Sequence, residues 1–232
     1  MQRFSLRAAA VASIVAAAAV AVPQAVGAQT ANPTAFCAAR AQLGPSASPA
    51  QLKTGIATLA QSAGGTAVEP ATALESLYAK KGPKTFTSDK AFGYLSSIDK
   101  YVYDTCPGTS VAVTASDYQF EGISSALPTG TAKIKFTNSS PKEDHEIAIF
   151  RLLPEAEGMD ALTLLKMPEK KAAKYADLDS AVFTFAPAGE DGYTVTDLEP
   201  GTYLYACFIP VGGKNKNAPH FMEGMYGTFT VS

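Results

Sequence analysis

At Cys106-Pro107-Gly108 the chain changes its hydrophobic period, and that change restricts the folds open to it more than any other feature. Before this point apolar residues recur every three or four positions; beyond it they alternate. One chain must therefore build a helical part and a β part, joined at a turn sequence.

Four segments precede the join. "NPTAFCAARAQL" opens a short first helix, and "SPAQLKTGIATLAQSAGG" has Ser48 as its cap, proline in the first turn and glycines as the stop. "EPATALESLYAKKG" repeats the design, with Pro70 near its start and Gly82 at its end. "TSDKAFGYLSSIDKYVYDTC" opens on a Thr/Ser cap and sets Phe92, Leu95, Ile98 and Val102 on one helical face. Beyond the join, "VAVTASDYQF", "TAKIKFTNSS", "HEIAIFRLL", "YTVTDLEPGTYLYACFI" and "YGTFTVS" are strand-like runs punctuated by Pro/Gly turns. "AEGMDALTLLKMPEKKAAKYADL" interrupts them with helical composition and is expected to cover one side of the sheet; its lysines read as a solvated face. The fold class is α+β in two domains: a small helical bundle over residues 30–106, and a β-sandwich with a helical insertion over 108–232.

The N-terminus sets the compartment. Two arginines without an acid precede the apolar run "AAAVASIVAAAAVAV", and "VPQAVGA" ends in small residues. Residues 1–28 thus read as a signal peptide, cut after Ala28 and too short for a stable membrane span. No second long apolar run follows, so the expected product is an exported bacterial protein, periplasmic or secreted, without a transmembrane segment. Its removal takes away Arg3 and Arg7 and moves the formal net charge from -2 to about -4. No dense basic patch or arginine-rich arm argues for nucleic acid.

Three cysteines make an odd number for an exported chain. Cys37 and Cys106 lie at the two ends of the helical part and could pair as a disulfide. Cys207 is then left over, and in an oxidising compartment a lone thiol must be buried, oxidised, bonded to another chain or bound to metal. Strand parity gives it neighbours. His145 shares a face with Ile147 and Ile149 at the start of its strand. Cys207 shares parity with Tyr203 and Tyr205 at the end of its own strand, and the loop after it carries His220 and Met225. Antiparallel pairing could set these four around one pole of the sandwich. A thiolate, two imidazoles and a weak thioether form a donor set for copper cycling between Cu(I) and Cu(II). Met222 competes with Met225 for the thioether place, and spacing favours Met225.

On these residues the C-terminal part resembles the cupredoxins, the blue copper fold. "TNSSPKEDHEIAIF" carries the first histidine, "LEPGTYLYACF" the thiolate, and "PHFMEGMYGTFTV" the second histidine, the methionine and a final strand. The resemblance implies a Greek-key sandwich holding one copper, with ligands His145, Cys207, His220 and Met225, and Met222 as the alternative axial ligand. It does not extend to the helical part. Two features depart from the family. Twelve residues, "FIPVGGKNKNAP", separate Cys207 from His220 where the family has only a few; they could arch outward and return, or hold His220 away. Glu146 follows the first histidine, where asparagine often braces the cysteine loop.

The expected function is single-electron transfer, not catalysis. The exposed edge of His220, flanked by Phe221 and Met222, would be the exit toward a redox partner protein. Copper storage or delivery on the same ligands is the alternative, as is a sandwich that binds no metal and serves in binding or structure. A Cys207/His220 nucleophile and base lacks an orienting acid and an oxyanion loop.

Overall fold

The computed structural model describes residues 31–44, 47–214 and 217–232; the signal peptide expected at 1–28 lies outside the described residues. It is a mixed α+β structure of packed layers. Helices α1 (Pro33–Ala41), α2 (Pro49–Ser62), α3 (Val68–Lys81) and α4 (Asp89–Thr105) form the first. Their starts follow local chemistry. Asn32 Oδ1 accepts the Ala35 amide, and Ser48 with Gln51 closes a reciprocal capping box with Pro49 in the first turn. Ser88 stands at the start of α4 as expected, but its hydroxyl donates to the Thr85 carbonyl and caps nothing.

The face of α4 also needs correction. Ile98 and Val102 are buried, but Phe92 is 57% exposed and Ala91 takes the inward place. Ala91 lies seven residues, two helical turns, before Ile98, whereas Phe92 is rotated about a third of a turn away.

Nine strands follow among the described residues: β1 (Thr109–Ser116), β2 (Gln119–Glu121), β3 (Ala126–Leu127), β4 (Gly130–Asn138), β5 (His145–Leu152), β6 (Ala176–Ala186), β7 (Asp191–Leu198), β8 (Gly201–Ala206) and β9 (Tyr226–Val231). They form two sheets, in the orders β2-β1-β4-β7 and β3-β9-β8-β5-β6. The β1–β4 and β3–β9 pairs are parallel and the others antiparallel. Val113, Ile134 and Phe136 from the first sheet meet Ile147, Ile149, Tyr203 and Phe229 from the second in one apolar core.

The helices cover the outer face of the four-stranded sheet. Val195 of β7 is buried in the helical core beside Phe36, Leu59 and Ile98. Lys133 of β4 reaches out to donate to the carbonyls of Tyr103 and Cys106, at 2.9 and 2.7 Å. Cys37 and Cys106 form the expected disulfide, with Cα atoms 5.7 Å apart. Beside it, buried Arg40 of α1 pairs with buried Asp99 of α4, Nη2 to Oδ2 at 2.8 Å.

The insertion between β5 and β6 forms two short helices, α5 (Ala161–Leu165) and α6 (Glu169–Ala172). Leu164 and Ala156 pack on Leu204, so the insertion covers part of the outer face of the five-stranded sheet. Helical composition extends the expected insertion through Leu178 and predicts no strand over residues 176–186. They form β6, the edge strand paired with β5. An edge strand has one partner and tolerates exposed Asp179 and Phe183, which blurs the alternation a reader looks for.

Candidate metal centre

His145 opens β5. Its parity with Ile147 and Ile149 turns it inward, where it is fully buried. Cys207 follows the last residue of β8 and is also fully buried; it is the free cysteine of the chain. The backbone around it is tied closely to the returning chain. The Cys207 amide donates to the Met225 carbonyl at 3.1 Å, and the Phe221 amide donates to the Cys207 carbonyl at 2.9 Å. Met225 N donates in turn to the His220 carbonyl at 3.2 Å.

The twelve-residue separation therefore does not part the donors. The chain leaves and returns as a pinched excursion. Pro210 bridges Pro219, Val211 N donates to the Ala218 carbonyl at 3.0 Å, and His220 N donates to the Ile209 carbonyl at 2.9 Å. Gly212 and Gly213, at φ +65° and +63°, let the excursion turn in the left-handed region.

Three donors converge at its base. His145 Nδ1 and His220 Nδ1 are 3.1 Å apart, and Cys207 Sγ lies 3.4 Å from His220 Nδ1. All three ligand atoms fall within 4.8 Å of one another. Met225 is fully buried in the same core, whereas Met222 is 43% exposed on the surface.

Burial controls the protonation of these groups. It pushes the His145 imidazole down to about 4, helped by the neighbouring His220 ring. It also lowers His220, against the opposing charge of Glu143. The Cys207 thiol is pushed up to about 12, again by burial first, although the Glu146 amide donates to its sulfur at 3.5 Å. Without a cation the pocket thus holds a neutral thiol and neutral imidazoles whose lone pairs lack solvent. His145 Nε2 has no hydrogen-bond partner. A soft cation suits this donor set, since it would displace the thiol proton and bind imidazole nitrogens. The same chemistry is wrong for a nucleophile, which needs its thiol pKa lowered and its sulfur reachable.

Three residues support the donors; sequence reading singles out Glu146 as a departure and misses Tyr118 and Glu143. Glu146 braces the cysteine loop: its Oε1 accepts the Phe208 amide, directly after Cys207, at 3.2 Å. Burial raises its carboxyl above the usual range. Tyr118, held at φ +65° in the turn between β1 and β2, sets its ring edge-on to His220 at 5.0 Å. Glu143 lies on the far side of the His220 ring, Oε2 to Nε2 at 3.6 Å, longer than a hydrogen bond. The carboxylates at 143 and 146 flank the first histidine in "KEDHE" and were legible as charge, though not as to what they would touch.

One expectation fails here. His220 has no exposed edge: Tyr118, Glu143 and the excursion leave it fully buried, and Phe221 is buried as well. The exposed apolar side chains nearest in sequence to the donors are Met222 and Phe208, and Phe208 continues through ring contacts to Phe150 and Phe183.

No protein-family model and no curated protein matches the chain. Solved structures do resemble it. An auracyanin from Roseiflexus castenholzii is 19% identical, with a TM-score of 0.36 over 54% of this chain and 98% of that one. Auracyanin A, a "blue" copper protein from Chloroflexus aurantiacus, is 20% identical with a TM-score of 0.33, over 53% and 98%. An azurin from Methylomonas sp. strain J is 18% identical with a TM-score of 0.33, over 54% and 99%. These structural neighbours are cupredoxins.

Proposed function

We propose that this chain is an exported mononuclear copper protein that exchanges single electrons, with His145, Cys207 and His220 as ligands and the buried Met225 as a thioether donor. The observation that carries the reading is the convergence of three buried soft and nitrogen donors within 4.8 Å. Bound copper supplies a one-electron Cu(I)/Cu(II) couple. The protein's part is to hold the donors on stiff strands, keep water away, and brace the cysteine loop through Glu146. The Cys37–Cys106 disulfide supports an oxidising compartment, in keeping with export. Residues 30–106 are read as a helical module that covers the sandwich of residues 108–232. A redox protein is the expected partner, met through the exposed apolar side chains beside Cys207.

A second reading, copper storage or delivery, is favoured by the full burial of His220, which removes the exposed imidazole edge through which electrons would leave.

Absorption titration of the metal-free protein with Cu(II), with Cys207→Ser in parallel, tests both. An intense band that saturates at one equivalent and vanishes in the variant supports the thiolate–copper site. Electron self-exchange measured on that form then separates transfer from storage, since slow exchange favours storage. No band with Cu(II), and no thermal shift with Cu(I), overturns copper binding and leaves a sandwich without metal.

A further inference from the structure

We propose that Glu143 is a positioning residue for His220: the charge of its carboxylate, at ion-pair distance, favours the imidazole proton on Nε2, so that the Nδ1 lone pair faces Cys207 and His145. The same carboxylate pins the Cys207–His220 excursion over the site.

The support begins with the backbone of Glu143. Its amide donates to Ser140 Oγ at 3.0 Å, and its carbonyl accepts from buried Asn138 Nδ2 at 2.9 Å. Ser140 is itself held by Asn138 Oδ1 at 3.0 Å and donates to Asp117 Oδ1 at 2.6 Å. From this fixed base the side chain reaches across to the excursion. The Gly212 amide donates to both carboxylate oxygens, at 3.0 and 3.2 Å. That leaves Oε2 facing His220 Nε2 at 3.6 Å, an ion-pair distance rather than a hydrogen bond, and this buried ring nitrogen has no hydrogen-bond partner. An acceptor-only carboxylate beside one ring nitrogen favours the tautomer protonated there.

The other nitrogen completes the pattern. With its proton on Nε2, His220 Nδ1 is an acceptor. The 3.1 Å contact then has His145 Nδ1–H as donor, and the Cys207 thiol at 3.4 Å points its proton the same way. The metal-free pocket thus keeps His220 with its ligand atom already directed at the other two donors. A partner on the outer nitrogen of a metal-binding histidine fixes ring orientation and raises ligand basicity, and its loss commonly lowers metal affinity about 10–100-fold.

The test has a metal-free arm and a metal arm, and only the second rests on the copper reading above. Two-bond 1H–15N correlation spectra of the chelator-treated protein report which nitrogen of each imidazole carries the proton. The expected result is His220 protonated on Nε2 and His145 on Nδ1. Glu143→Ala should lose the single His220 tautomer and speed amide exchange at Gly212, while Glu143→Gln, which keeps an acceptor oxygen, should retain both. Wild-type His220 protonated on Nδ1 overturns the proposal whatever the protein does with copper. In the second arm, competition titration with Cu(II) should show Glu143→Ala weakened about tenfold or more with an altered thiolate–copper band, and Glu143→Gln close to wild type. Equal affinity and an unchanged band in Glu143→Ala also overturn it. A wild type that binds no copper refutes the proposed function, and the tautomer result still decides the role of Glu143.

Discussion

Acidifying the metal-free protein should cost it stability because of His145, and the amount follows from the burial of that ring. His145 titrates at about 4 in the fold and at 6.5 when unfolded. Between these values the unfolded chain binds a proton that the folded chain refuses, so stability rises with pH across that window and is lost as pH falls through it. Each pKa unit corresponds to about 1.4 kcal/mol, which makes the loss about 3 kcal/mol between pH 7 and pH 4, with only a few tenths more below. His220 is shifted the same way and adds loss of the same sign. The two Nδ1 atoms are only 3.1 Å apart, so the first proton opposes the second and the pair titrates as a unit. Glu146 acts in the opposite sense. Its carboxyl is raised in the fold, so it withdraws stability as pH rises above the usual carboxylate range, and a raw pH profile mixes the two. The assay is therefore a difference: urea unfolding at pH steps from 7 to 4 with chelator present, for wild type and His145→Gln. Wild type should lose about 3 kcal/mol more than the variant over that range. Parallel profiles would refute the claim that the fold forces this ring to stay neutral.

Other expectations concern the scaffold and the axial ligand. Cys37→Ser with Cys106→Ser opens a cross-link spanning 69 residues and should destabilise the protein by about 4 kcal/mol in the chain-entropy model, read by denaturant unfolding. Arg40→Met strands the buried Asp99 carboxylate and should cost about 3–5 kcal/mol, most of it recovered when Asp99→Leu is added. If the copper reading holds, Met225→Leu should shift the copper band and potential, whereas Met222→Leu, at an exposed position, should leave both unchanged.

The legible parts of this protein were those set by neighbours in sequence. Ser48 with Gln51 declares a helix start because a cap needs only a side chain three residues away. The inward turn of His145 follows from Ile147 and Ile149, since strand parity alternates whatever lies across the sheet. Cys37 and Cys106 were legible as a pair because they bracket the one region whose ends a bridge could join.

The rest was decided by packing between distant segments. β6 is an edge strand whose acidic and exposed residues hide its period until β5 supplies a partner. Val195 reads as an ordinary strand residue, yet it is buried among helices because the outer face of β7 is covered by them. The distance from Cys207 to His220 could not be read from twelve intervening residues, because it depends on Pro210 meeting Pro219 and on Gly212 finding Glu143. The same meeting buried the edge of His220 that sequence left open. Periodicity, caps and cysteine spacing are local rules and survive in one dimension. Convergence of donors, the cover over a ring and the partner of its outer nitrogen are non-local, and exist only once the strands have set their register.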